Sequence, residues 1–447
     1  MEDLKRLDHK IWGIAWPAIL SNISIPVLGL VDAAILGHLG STHYLGAVAI
    51  GSALLSFLYW GFSFLRMGTT GLVARAMGAG DPDRATLVLA QSAVLALLLA
   101  SLVVLLHPLW LGAGFALMSP QADLLPLANS YTGIRIFSAP AVLLTYTIVG
   151  WFIGRQNTRW PMLIVVATNA ANIGLDFLFI VGLGLHSDGA AMATVIAEYL
   201  GCAIALFTVW HQLPARPKPY ILQQLKDVSA YQQLLRSNRH LFLRTISLLF
   251  SFAFFTAMSD KMGSEVLAAN TLMLHLLMLA AYAMDGFAFA AEGLAGTRLG
   301  AGDLDGFYVV VRRCWLWCAA AAGLMTASFL LFYSPLFALL TDIMEIRELM
   351  ARYSLWLALL PLVAAPSYLL DGVFIGSAET RYMMTTMLFS VFIVYLPVWY
   401  LTRGLGNHGL WLAFITFNGA RGVALYRCYR QMSHSGAWLR KPLSGSD

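Results

Sequence analysis

The chain reads as an all-α protein of membrane-crossing helices, and three observations predict this. Of its 447 residues, 59% are hydrophobic and only 11% are charged, whereas soluble domains carry about 25% charged residues. Apolar runs of about 20 residues, the length that crosses a bilayer as a helix, recur along the whole chain. Gly, Pro and charged residues punctuate those runs, and between them too little polar sequence remains to cover a soluble core of this size.

Read between that punctuation, twelve spans are expected, near residues 11–37, 45–66, 86–107, 124–153, 160–183, 187–210, 240–259, 266–291, 308–333, 349–375, 383–402 and 407–427. The stretch "MEDLKRLDHK" before the first is polar and mixed in charge, with no convincing signal-peptide pattern after it. An even count places both termini on one side. Twenty of the 28 Lys and Arg then fall on that side, among them Lys5, Arg6, Arg155, Arg159, Arg216, Lys218, Arg440 and Lys441. Only Lys261, Arg347 and Arg403 lie in the opposite loops. Positive loops stay cytoplasmic, so the expectation is a multi-pass protein of the cell (inner) membrane with both termini cytoplasmic. The net charge of +5 reports this bias and gives no hint of nucleic-acid binding. The four cysteines, Cys202, Cys314, Cys318 and Cys428, fall within or beside spans. Two thiols one turn apart make a poor metal site without further ligands, and all four read as packing residues.

The chain also repeats itself. "MGAGDPD" at 77–83 returns as "LGAGDLD" at 299–305. The same offset aligns "GWFIGRQNTR" (150–159) with "GVFIGSAETR" (372–381), "GLG" at 182–184 with "GLG" at 404–406, and "YLGAVAI" (44–50) with "VLAANTL" (266–272). One constant offset over four separated segments implies two copies of a six-helix unit: an N-terminal lobe over 1–210, a cytoplasmic linker over 211–240, a C-terminal lobe over 241–430 and a tail over 431–447. Six is even, so the copies have parallel topology. Parallel repeats of this kind frame central cavities in transporters that rock one half against the other.

These residues resemble the multidrug and toxic compound extrusion (MATE) family. The carriers of the resemblance are a first span ending "VDAAILGHLG" and the paired "GAGD" loops after spans two and eight. "LSNISIPVLGLVDAAILGHL", "LRMGTTGL", "AEY" at 197–199, "YAMDGFAFAAE" (282–292) and "YLLDGVFIG" (368–376) narrow it to the branch named after DNA-damage-inducible protein F (DinF). The resemblance runs along essentially the whole chain. It implies export of organic cations or amphipathic drugs in exchange for protons or sodium ions, by a monomer surrounded by membrane lipids and requiring no cofactor.

Asp32 interrupts the apolar run "IPVLGLVDAAILGHLG". A charge inside lipid is costly and usually functional, and a carboxyl taken out of water holds its proton more tightly. Asp32 can therefore take up and release a proton near neutral pH, and its carboxylate can attract a cationic drug; the alternative is a permanently hydrogen-bonded group that orients helices. Pro26, six residues earlier, marks a kink site, static or switching. Asn172 and Asp176, four apart in span five, share a helix face, and Thr194 lies in the next span. The resemblance implies that these join Asp32 in a polar network, whose oxygens could hold a proton or a sodium ion or serve structure alone. Glu198, one turn after Thr194, lies nearer the cytoplasmic end and can reach for its surface.

The C-terminal copy has acids of its own: Asp285, Glu292 and Asp371. They align by the repeat with Ser63, Thr70 and Val149, so the lobes have diverged in chemistry. In another branch of the family a C-lobe acid cluster binds sodium; alternatively, Arg135, Arg244 and Arg421 pair with these acids. Phe57, Tyr131, Tyr146, Met258, Met273 and Met284 are candidate drug-cavity lining, since Met and aromatic side chains adapt to varied shapes and contact cations. For each of them helix packing is the plainer role. Two rival transporters remain, a sodium-coupled drug antiporter and a lipid-linked precursor flippase. HExxH, GxSxG, DDxxD and P-loop patterns are lacking, which argues against an enzyme and against nucleotide-driven export.

Overall fold

The computed structural model describes residues 2–37, 42–118, 121–213 and 219–439. The end of the first signature stretch (38–41), the linker residues 214–218 with Arg216 and Lys218, and the tail from 440 with Arg440 and Lys441 lie outside them. The helices are α1 (Glu2–Gly37), α2 (Thr42–Gly61), α3 (Phe64–Gly78), α4 (Pro82–Leu105), α5 (His107–Met118), α6 (Leu125–Arg135), α7 (Ala139–Gly154), α8 (Arg159–Asp176) and α9 (His186–Gln212). They continue as α10 (Pro219–Lys226), α11 (Gln232–Asp260), α12 (Ser264–Gly300), α13 (Leu304–Leu331), α14 (Tyr333–Leu340), α15 (Met344–Gly376), α16 (Thr380–Leu388), α17 (Leu396–Thr402) and α18 (Asn407–Ser435).

The fold is all-α and polytopic. Among the described residues, eleven helical segments are long and apolar enough to cross a membrane, and they coincide with the first eleven expected spans. The twelfth is α18, whose 29 residues carry Asn418, Arg421 and Arg427 and so dilute its apolar character. Large side chains such as Leu98, Leu105, Leu117 and Leu331 point outward. A helix that is apolar all round suits lipid on one side and packing on the other.

The duplication extends to backbone detail. At the offset of the repeat, α2 and α3 together cover the stretch of α12, α4 the start of α13, and α7 the end of α15. Gly80 (φ 72°) and Gly302 (φ 75°) turn the two "GAGD" loops through the left-handed region, where a Cβ is disfavoured. Gln156 (φ 61°) and Ala378 (φ 59°) form a second such pair. The copies differ in helix continuity: α12 is continuous where its counterpart breaks into tight turns at Phe62 and Ser63, and α15 is continuous where its counterpart divides into α6 and α7.

Chain contacts define two compact units, one comprising Met1–Ile19, Ala74–Asp81 and Arg236–Asp447, the other Leu20–Val73 and Pro82–Leu235. This grouping differs from the repeat boundary in placing residues 1–19 and 74–81 with the C-terminal copy. In the second unit, α3 and α7 approach closely: a Cβ on Gly150 would overlap the carbonyl oxygen of Arg66, and one on Gly154 would stand 2.8 Å from that of Thr70. In the first unit, a Cβ on Gly372 or Gly376 of α15 would overlap the carbonyl oxygen of Ala288 or Glu292 in the same sense. Both pairs are GxxxG motifs, which let helix backbones touch in membranes. The polar linker is helical in part and tied to α4, with Gln91 Nε2 donating to the Ala230 carbonyl (3.1 Å) and Arg84 to Gln233 (3.1 Å).

The core of the first unit gathers Phe255, Met273, Tyr395, Trp411, Phe414 and Phe417. Beside it, Asn270 and Asn407 exchange amide hydrogen bonds (2.7 and 3.0 Å), and Trp411 donates to Asn270 (2.9 Å). The N-terminal turns of α1 dock in this unit through Asp8, which accepts from Arg313 and from Trp317 Nε1 (3.0 Å).

Candidate functional site

The second unit carries the polar cluster. α1 brings Asp32 and α8 brings Asn172 and Asp176, and the carboxyl groups of Asp32 and Asp176 face one another. Asn172 Nδ2 donates to Asp176 Oδ2 at 2.5 Å, the i, i+4 geometry of one helix face. Asp176 is fully buried and Asn172 nearly so. One oxygen each of Asp32, Asn172 and Asp176 is buried without a hydrogen-bond partner, a costly state for a polar atom. Such oxygens are acceptors, and what satisfies an acceptor is a proton donor or a cation.

Local structure fixes this arrangement. Below Pro26, Asn169 of α8 reaches α1, donating to Ser24 Oγ (3.1 Å) and to the Ser24 carbonyl (3.3 Å). α1 stays helical through Pro26, although proline removes one bond from the ladder. Directly after Asp176, residues Phe177–Gly182 widen into a π-helical segment, a departure common at functional positions.

A second layer adjoins the acids. Arg135 of α6 acts electrostatically on both Asp32 and Asp176. It also pairs with Glu198 of α9 at 3.1 Å and donates to Tyr131 Oη at 3.0 Å. The Tyr131 hydroxyl lies 2.8 Å from Ser52 Oγ, and the Tyr59 hydroxyl 3.1 Å from Ser138 Oγ. Glu198 is therefore held by Arg135 rather than reaching for the cytoplasmic surface. The site expected from the sequence omits this pair, although both charges stand out in neighbouring apolar spans.

Thr194 stands apart from the acid pair in its hydrogen bonding, since its hydroxyl donates back to the Ala190 carbonyl at 2.9 Å. Of the expected cavity residues, Tyr131 is buried in the polar layer, Tyr146 is half-buried near Glu198, and Phe57 is exposed. Met273 and Met284 are fully buried in the first unit, with Met258 packed against its core. There Asp371 of α15 accepts from both Arg244 and Arg421, the latter at 2.9 Å. Its charge is more than balanced by two guanidinium groups. Asp285 lies near Tyr368 and Tyr282, and Glu292 is buried on the next turns of α12. Among the described residues, no group of three or more His, Cys, Asp or Glu is arranged to hold a metal ion. In the register of the repeat, Asp32, Asn172 and Asp176 correspond to Phe254, Val394 and Val398, so the acid pair belongs to one copy alone.

The family model MatE matches the chain twice, over residues 17–178 and 241–401. The chain belongs to the MatE family. Within it, this MatE protein is 37% identical to the DNA damage-inducible protein F of Escherichia coli K12 over 444 residues, covering 98% of this chain and 95% of that one. It is 25% identical to the multidrug resistance protein NorM of Aliivibrio fischeri, covering 90% of each. The DinF-like branch expected from the motifs is thus the branch found. Among solved structures, a Vibrio cholerae MATE transporter in its bent form superposes with a TM-score of 0.85 at 22% identity, covering 98% of this chain and 100% of that one. A MOP-superfamily transporter of Pyrococcus furiosus superposes with a TM-score of 0.86 at 19% identity, covering 97% and 96%. One matched stretch of the MatE model falls in each copy of the internal repeat.

Proposed function

We propose that this MatE protein is a secondary active multidrug efflux transporter that exchanges external protons for cytoplasmic organic cations or amphipathic drugs. The observation that carries the reading is the facing pair Asp32 and Asp176, with buried oxygens that lack a donor. A proton entering between the two carboxyls satisfies an acceptor and removes a like-charge repulsion. An organic cation offers the same acid pair a countercharge, so proton and cation compete for one site. Competition of that kind is sufficient for antiport, with the two lobes rocking between inward and outward access. Membership of a family whose relatives include a multidrug resistance protein supports the class of cargo.

Arg135 lies beside the acids without binding them directly, and its charge limits how much negative charge the site presents when both protons have left. Coupling to sodium is the alternative at the same oxygens, which suit a hard cation. A sodium site built on Asp371 is disfavoured, because that carboxylate already answers to Arg244 and Arg421.

The test uses purified protein in sodium-free liposomes, following efflux of a fluorescent organic cation under an imposed pH gradient. Wild-type protein should transport, and Asp32→Asn and Asp176→Asn should each lose gradient-driven transport. Normal transport by Asp32→Asn sinks the proposal, while a requirement for a sodium gradient transfers the coupling to Na⁺.

A further inference from the structure

The first unit carries a second feature far from the acid pair. On its surface, two apolar grooves flank α18 and share Val363, Gly419 and Val423 as their common wall. One, of about 480 Å³, runs between α15 and α18 from Phe389 and Ile415 to Arg427. The other, of about 680 Å³, runs between α13, α15 and α18 and ends among Arg312, Trp315, Tyr426 and Tyr429. Gly419 hollows both and Gly422 the second: a Cβ on Gly419 would meet Val363 at 3.3 Å, and one on Gly422 would meet Pro366 at 3.2 Å.

We propose that this paired groove binds an anionic phospholipid, with one acyl chain on each side of Val423 and the phosphate at Arg312 and Arg427. Depth along the helix supports this occupant. Ile415 and Arg427 are twelve residues apart, about 18 Å of helix, close to one leaflet of a hydrocarbon core about 30 Å thick. Both grooves are apolar toward the bilayer centre and each ends in an exposed arginine. Tyr429 contacts both Tyr308 and Tyr426 at that end, with Trp315 lining the same groove, and such rings settle at headgroup level. Basic pockets between membrane helices at that depth hold anionic headgroups. Two grooves that share a wall and each carry an arginine at one end match two chains joined at one phosphate. The site is lateral, uses neither acid of the transport site, and stands or falls independently of the coupling ion.

The test is native mass spectrometry of the purified, delipidated full-length protein titrated with phosphatidylglycerol or with phosphatidylcholine of identical chains. Phosphatidylglycerol should bind at least tenfold more tightly. Arg312→Gln and Arg427→Gln should each reduce that preference about fivefold, whereas Arg381→Gln, an exposed arginine outside the groove, should leave it unchanged. Val423→Trp, which fills the shared wall, should weaken both lipids. Equal binding of the two lipids by the wild-type protein overturns the proposal without recourse to any variant. So does displacement of both lipids alike by an organic cation, which would make the groove a drug subsite. Headgroup-insensitive dimers would make it an interface between copies and overturn it equally.

Discussion

A proton has no shape to recognise, so a residue that couples to it must do so through charge, and charge inside a bilayer is unfavourable. Asp32 and Asp176 face each other with Arg135 beside them, and Arg135 pairs in turn with Glu198. Removing one partner of a buried pair leaves the other charge uncompensated, at about 3–5 kcal/mol. Arg135→Gln should therefore lower the melting temperature measurably, and Arg135→Met with Glu198→Leu should recover most of it in the same thermal-shift assay. Asp371→Asn should behave likewise through Arg244 and Arg421, and sodium should not protect the wild-type protein against heating. Asp32 was legible in the sequence because it stands alone in an apolar run, and Asn172 with Asp176 because their spacing shares a face. The pairing of Arg135 with Glu198 was not, because nothing local to either span says which distant helix supplies the countercharge. Thr194 matched by type and span, yet a hydroxyl can always turn back to its own helix, as it does to Ala190.

At the scale of the helix, the repeated motifs have distinct physical tasks. "GWFIG" and "GVFIG" advertise the duplication in sequence, but their reason appears only where Gly150 and Gly372 lie against backbone carbonyls too close to admit a Cβ. Gly372→Val should cost about 1–3 kcal/mol by overpacking and lower the yield of folded protein, read by fluorescence size-exclusion chromatography. The "GAGD" loops work through turn and cap. Asp303 accepts from the Gly306 amide (2.8 Å) and from Arg298 (2.7 Å) at the start of α13, and these partners hold its carboxyl below the ordinary carboxylate range. Its folded-state value is the lower one, so the contribution is fully present above the ordinary carboxylate pKa. It is lost as pH falls through the lower folded value. Asp303→Ala should cost about 1 kcal/mol at neutral pH, and the gap between the melting curves of the two proteins should close as the buffer is acidified below about pH 4. Helix ends and turns such as these are written locally. The division of α1, which groups with one unit as far as Ile19 and with the other from Leu20, is a tertiary fact that no window of sequence contains.

For the whole molecule, orientation is the property most cheaply checked. Three of the four native cysteines are buried and Cys428 is half-buried, so single introduced thiols should dominate labelling. Lys261→Cys should react with a membrane-impermeant maleimide from outside intact cells, and Arg239→Cys only after lysis; the reverse pattern would invert the topology. The duplicated sequence made the two copies visible at once, yet their unequal chemistry is the more telling feature. Phe254, Val394 and Val398 stand where the other copy has Asp32, Asn172 and Asp176. The facing acid pair is thus confined to one copy, and electrical recording can count the charge it would carry in the proposed exchange. With both carboxyls loading, two protons inward against one monovalent cation outward leave a net inward positive current. Asp176→Asn, which should lose gradient-driven transport, should give no such current. A transport current on a solid-supported membrane that survives in Asp176→Asn at full size would mean that the second carboxyl carries nothing.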